Sequence, residues 1–464
     1  MPQGVRSLDI IGYEVKMIYK VGVMIALLTF FLAALTSGSW AQSFAQKTRL
    51  PNGLTLIVSE RNQLPTIHLQ VLIRAGSTLD PPNLLGLANL VSELLPQGTT
   101  QRDATQISRQ IETVGGSISA SAESDYATIS LAILKKDLPL GLSILSDILL
   151  NPAFTPQEIE RKVSALKARL KRMEEDPNQV AQLAFAKKLF GAHPYAHPKE
   201  GSISTLSSVT REDIIRFFQS YYRPNNVSLL IVGQITLQES SELIQHYLKD
   251  WKPAPIHRPS LVQPPALTGP VIEKIERPIT QANIIWGHPG IARSNPDYYA
   301  IQVMNYILGG GGFVSRLVDI IRDNLGLTYG VSSYFDAREF PGSFQIAMET
   351  KSQNTNQALS EILKEMNRFL EKGISPDELS EAKAYLTGSF PFRMDTNAKL
   401  VRLLSAIEFY GLGLDFPDKY PQLINQVTAE EVLRVARTYL KPEKFLLVVV
   451  GDQKQIQLKN AWKK

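Results

Sequence analysis

A chain of 464 residues exceeds what a single hydrophobic core organises, so two or more domains are expected. An apolar share of 44% beside 20% charged residues excludes a disordered chain, and a formal charge of +5 spread along the sequence does not imply nucleic acid. Cysteine is absent, which excludes disulfides, thiolate metal sites, thiol nucleophiles and a lipidated cysteine anchor.

Residues 1–46 read as a targeting segment. Lys16 and Lys20 precede an apolar run from Val21 to Leu35, and the small residues of Thr36–Ala41 make a cleavage context, with the cut expected between Ala41 and Gln42. The alternative is an uncleaved anchor, because the run approaches bilayer length. Either reading places the body outside the cytoplasmic membrane, in the periplasm or secreted.

Gly53–Ser59 and Thr66–Ala75 then read as paired strands. Gly86 to Thr99 follows, with Leu87, Leu90, Val91, Leu94 and Leu95 at helical spacing, a buried amphipathic helix. A second helix is expected over Asp103–Val114, and Ser117–Ala122 with Tyr126–Ala132 reads as a hairpin. Leu138–Leu150 and Pro156–Glu175 are helical, the latter rich in Lys and Glu at i, i+4 spacing. Val209–Gly233, a helix, turn and strand, aligns without a gap on Val427–Gly451, with Thr210/Thr428, Glu212/Glu430, Arg216/Arg434, Tyr221/Tyr439, Pro224/Pro442 and Gly233/Gly451 coinciding. Such agreement over a whole unit indicates tandem duplication of one α+β module. Proline recurs through Trp251–Pro270, which keeps that stretch extended and makes it the linker. The domains expected are therefore 47–250 and 271–464, joined by 251–270. The second repeats the plan with a strand at Ala282–Gly287, a helix at Asp297–Leu308, strands near Tyr329 and Ser343, and helices at Thr355–Lys372 and Pro376–Leu386.

The frame Gly86-Leu-Ala before and Gly98-Thr99 after, the His193-Pro194-Tyr195 word, Arg316-Leu317 and the run Arg322-Asp-Asn-Leu-Gly-Leu-Thr-Tyr329 come in the order found in the pitrilysin-like (insulinase-like) zinc peptidases. Over nearly all of 47–455 the sequence resembles that family, which includes mitochondrial processing peptidase. The fold this implies is α+β: two sandwiches, each an antiparallel-rich sheet with helices on one face, closing like a clam around a chamber.

In the family the frame carries His-x-x-Glu-His, two zinc ligands on one helix face with a Glu that activates water, and a third ligand, a Glu, comes from a later helix. Here Asn89, Ser92 and Glu93 stand at the three working positions, and Glu160 and Lys167 are assigned to the later helix. The resemblance thus implies no metal in this chain. Arg322 and Tyr329 match the family's Arg/Tyr pair, which supports substrate and the tetrahedral oxyanion; an Arg and a phenol aimed at one carbonyl oxygen are oxyanion-hole donors. Gly309, Gly310, Gly311 and Gly312 lack the Gly-Lys-Ser/Thr of a phosphate loop and read as a flexible substrate-handling loop. His193 and His197 are four apart, but Pro194 and Pro198 break any helix that would pair them on a metal. A Gly-x-Ser-x-Gly elbow is also missing.

The expectation is a catalytically incomplete subunit of a heterodimeric peptidase. It would bind extended peptides and lend Arg322 and Tyr329 to the zinc site of a homologous His-x-x-Glu-His partner. The alternative is a non-enzymatic scaffold or peptide-binding protein of the same fold. Membrane contact is expected only through an uncleaved leader.

Overall fold

The computed structural model describes residues 44–459. The predicted leader, its cleavage point and its anchor alternative lie outside them, except that the body's first strand already begins at Gln46. Among the described residues no helix is long and apolar enough to cross a membrane.

The first half runs β1 (Gln46–Arg49), β2 (Thr55–Glu60), β3 (Thr66–Ile73), α1 (Leu87–Leu94), α2 (Ala104–Thr113), β4 (Ser117–Ala122), β5 (Ala127–Leu134), α3 (Leu138–Leu150), α4 (Pro156–Glu175), α5 (Pro177–Phe190), α6 (Ile203–Ser208), α7 (Arg211–Tyr221), β6 (Val227–Gly233) and α8 (Leu237–Leu248). The second runs β7 (Val271–Glu276), β8 (Gln281–Pro289), α9 (Tyr298–Asn305), β9 (Thr328–Phe335), β10 (Ser343–Lys351), α10 (Thr355–Lys372), α11 (Pro376–Ser389), α12 (Asn397–Tyr410), α13 (Phe416–Gln426), α14 (Ala429–Tyr439), β11 (Leu446–Gly451) and α15 (Gln453–Ile456).

The duplication is visible in the sheets. The first has the order β1-β2-β6-β3-β5-β4 and the second β7-β11-β8-β10-β9. In each, the strand of the repeated unit lies parallel to one neighbour and antiparallel to the other: β6 between β2 and β3, β11 between β7 and β8. The helices leading into them start alike. Thr210 and Asp213 form a capping box at α7, Thr428 and Glu431 another at α14, each satisfying amides that the first turn leaves open. The free edges, β4 and β9, are likewise equivalent.

Alternation decides which face of each strand meets which helices. Ile67, Leu69, Val71 and Ile73 of β3 join α1 and α3 in the first core. The opposite faces are covered across the duplication. α5 of the first half lies on the second sheet, where Ala181, Phe185 and Leu189 pack with Ile285, Leu446, Val448 and Val450. Gly287 makes room for it, since a Cβ there would meet Phe185 Cζ at 2.8 Å and the Phe344 carbonyl at 2.1 Å. Reciprocally, α12 of the second half lies on β3 and β6. Its Glu408 accepts from Lys47 Nζ at 2.6 Å and Ser228 Oγ at 3.0 Å, and Arg74 donates to the Glu408 and Phe409 carbonyls at 3.2 and 2.8 Å. The hairpin tips meet as well: Tyr195 donates to Asp125 at 2.7 Å, and the Glu339 amide donates to the same carboxylate at 3.2 Å.

Candidate functional site: a metal frame filled by ion pairs

α1 begins at Gly86, whose φ of 94° suits glycine. The carboxylate of Asp80 takes the amides of Gly86 and Ala88 at 2.7 and 2.8 Å, fixing the first turn. Leu87, Leu90, Val91 and Leu94 are buried, each with a burial worth about 1.5–3 kcal/mol. With the helix so fixed, Asn89, Ser92 and Glu93 take set directions. Asn89 Nδ2 donates to Glu93 Oε1 at 3.2 Å. Ser92, 1% exposed, turns inward to Tyr222 OH at 2.8 Å, which has no counterpart in water activation.

α4 supplies the other wall. Arg169 donates to Glu93 Oε1 at 3.1 Å and Lys162 Nζ lies 3.6 Å from Oε2. Arg169 also stands 3.8 Å from Glu200. The assignment of Lys167 and Glu160 to this place is therefore corrected: neither pairs with Glu93, and Glu160 is exposed. At 3.6 residues per turn, position 167 lies about 200° around the axis from 169 and cannot share its direction. The missed residues, Lys162 and Arg169, are seven apart and flank buried Leu166 at i−4 and i+3, so the burial seam of the helix was the signal for them.

A zinc ion does not fit this donor set. It would meet one carboxylate shared between two cations, an amide and a hydroxyl already bonded, and no imidazole. Among the described residues there is no group of three or more His, Asp or Glu able to hold a metal.

Arg322 and Tyr329 sit elsewhere, in the second half. Arg322 lies in a wide helical turn, Val318–Asn324, with its guanidinium 4.6 Å from the Phe313 ring centre and 3.6 Å from Asp323. Tyr329 is the second residue of the edge strand β9 and is 86% exposed. No hydrogen bond, ion pair or ring contact among the described residues joins either to Asn89, Ser92 or Glu93. The glycine run divides. Gly309 is buried in the turn Tyr306–Gly310, where a Cβ would meet Ser333 Oγ at 2.6 Å, so it is a packing residue and not part of a free loop. Gly312, at φ 62° with open space around it, leads into exposed Phe313 and Val314.

The family model described as insulinase (peptidase family M16) matches residues 56–201, and that of the peptidase M16 inactive domain matches 208–386. An uncharacterized zinc protease of Streptomyces coelicolor is 26% identical over 436 residues, 92% of this chain and 94% of that one. A non-peptidase homolog, YmxG, of Helicobacter pylori is 24% identical over 412 residues, 86% of this chain and 92% of its own. Among solved structures, a peptidase M16 inactive domain from Pseudomonas fluorescens superposes with a TM-score of 0.83 at 28% identity, covering 88% of this chain and 98% of the other. A Helicobacter pylori protease shares the fold at a TM-score of 0.81 and 19% identity, over 88% of this chain and 99% of that one. The two sheets, the frame around α1 and these likenesses over both halves agree: the chain belongs to the M16 (insulinase) peptidase family.

Proposed function

We propose that this chain is a zinc-free subunit of an extracytoplasmic M16 peptidase. It works beside a homologous chain that carries His-x-x-Glu-His and the zinc, and it presents Arg322 and Tyr329 to the substrate held there. The observation that carries this reading is an asymmetry of fate. Glu93 is tied up by Lys162 and Arg169 where ligands would stand, whereas Tyr329 stays exposed, its hydroxyl unbonded among the described residues. A phenol kept in water on a strand edge contributes little to folding, which favours a task outside the chain. Extended peptide adds to the free edge of β4, Ser-Ile-Ser-Ala-Ser-Ala, the strand that packs beside α1.

The test is reconstitution with the His-x-x-Glu-His chain of the same host, following cleavage of a fluorogenic peptide. The mixture cleaves and neither chain alone does. Tyr329→Phe or Arg322→Ala in this chain lowers kcat of the mixture by about 10²-fold, the usual loss for one oxyanion donor. If the mixture cleaves and both variants match the unaltered chain, the scaffold reading replaces this one.

A further inference from the structure

A cavity of about 710 Å3 opens at the N-terminal end of α1, walled by α5, the loop 191–203 and Val262 of the proline-rich connector. Its size lies within the roughly 300–1,000 Å3 typical of ligand pockets. The walls are mainly apolar, with Leu85, Leu170, Leu183 and Ile203 prominent. Asp80 borders the cavity, but its two oxygens are taken by the Gly86 and Ala88 amides.

Two histidines line this space with opposite polarity. His193 is 3% exposed, and its Nδ1 accepts from the Tyr195 amide at 3.1 Å, so the ring proton sits on Nε2. That N–H has no hydrogen-bond partner among the described residues. His197 is arranged the other way: its Nδ1 lies 3.1 Å from the Pro198 carbonyl, which only accepts, so Nδ1 holds the proton and Nε2 keeps a lone pair. Burial holds both rings below the ordinary histidine pKa, so both are uncharged at neutral pH.

Glu174 and Lys187 also line the cavity, opposite in charge and both exposed to water; beside them it offers one neutral donor and one neutral acceptor between hydrocarbon walls. A carboxylate would match His193 and Lys187 but would face the like charge of Glu174 and set its oxygen lone pairs against that of His197. A hydrocarbon would leave both nitrogens unpaired, at a cost of about 1–3 kcal/mol each. A peptide unit supplies both complements, and its side chain fills the apolar part. We propose that this cavity binds one apolar residue of a peptide. His193 Nε2–H donates to the backbone carbonyl of that residue, and His197 Nε2 accepts from a backbone N–H. None of Asn89, Ser92, Glu93, Lys162 and Arg169 lines the cavity, so it is a different place from the frame of the lost metal. It requires this chain alone and is independent of any partner subunit.

The experiment is ligand-observed NMR titration of the isolated chain with N-acetyl-L-leucinamide, which is uncharged and carries both groups. Saturable binding at millimolar concentration is expected. N-acetyl-N-methyl-L-leucine dimethylamide, which cannot donate, should bind about fivefold to tenfold more weakly, the worth of one net hydrogen bond. His197→Phe should weaken the leucinamide by the same factor, and Ala192→Trp, an exposed wall residue grown into the space, should abolish binding. His193→Phe should also weaken it, with circular dichroism confirming the fold; if that variant does not fold, the other two carry the test. Absence of saturable binding overturns the proposal, as does binding that Ala192→Trp and His197→Phe leave unchanged.

Discussion

Between Lys162 and Arg169, Glu93 completes a charge arrangement that holds α1 to α4 where the family resemblance implies that an ion does so. If position 169 is the third corner of the frame, restoring Asn89→His, Glu93→His, Lys162→Glu and Arg169→Glu together yields a chain that binds one equivalent of zinc with micromolar or tighter affinity by calorimetry. The same set with Lys167→Glu in place of Arg169→Glu binds markedly more weakly. Asp80 gives a second expectation at this scale. Burial raises its carboxyl from 3.8 to about 7, against two amide bonds that lower it. A carboxyl that holds its proton more tightly when folded favours the folded state in acid. That contribution is fully present below the unfolded value and is lost as pH rises through about 7. Urea unfolding should therefore show stability falling between about pH 4 and 7, with Asp80→Asn flattening that part of the profile. The sequence made Asn89, Ser92 and Glu93 legible because the flanking words fix the frame. The α4 partners Lys162 and Arg169 were less legible because no flanking motif fixes the register of that helix, and an offset of two residues is enough to turn a side chain away.

At the scale of elements, the strands β3, β5, β6 and β11 and the helices α3, α4, α7 and α14 follow from local periodicity and capping residues, and the structure has them where the pattern puts them. The helix expected to run from Asp297 to Leu308 stops at Asn305 and continues as the wider turn Tyr306–Gly310, because Gly309 must approach β9 closely. α5 and α12 carry no comparable sequence signal. The apolar residues of α5, Phe185 among them, are buried against strands that follow about a hundred positions later or more, so nothing nearby in sequence reveals their purpose. Phe185 is fully buried, and Phe185→Ala should cost about 3–5 kcal/mol in urea unfolding even though it touches no candidate site residue.

At the scale of the molecule, the described residues from Ala45 onward form one compact unit despite the duplication. The exchange of α5 and α12 explains why, since each half supplies a layer of the other's sandwich. The connector adds little to this: it lacks regular structure, and its ties include Arg258 to the Arg74 carbonyl at 2.8 Å and to Asn226 Oδ1 at 3.1 Å. A protease site inserted near Pro259 and cut after folding should leave two fragments that elute together in size-exclusion chromatography and separate only in denaturant. Elution as two independent species would mean that the crossed helices do not hold the halves.

The crossing of α12 onto β3 and β6 also sets a timetable. A ribosome delivers residues 66–73 long before residues 397–410, so during synthesis one side of the early sheet, with Leu72 and Leu230, has no lid. The nascent half must then wait unfolded or be sheltered by another protein, and truncation anywhere before residue 397 should yield aggregates and not a smaller soluble domain.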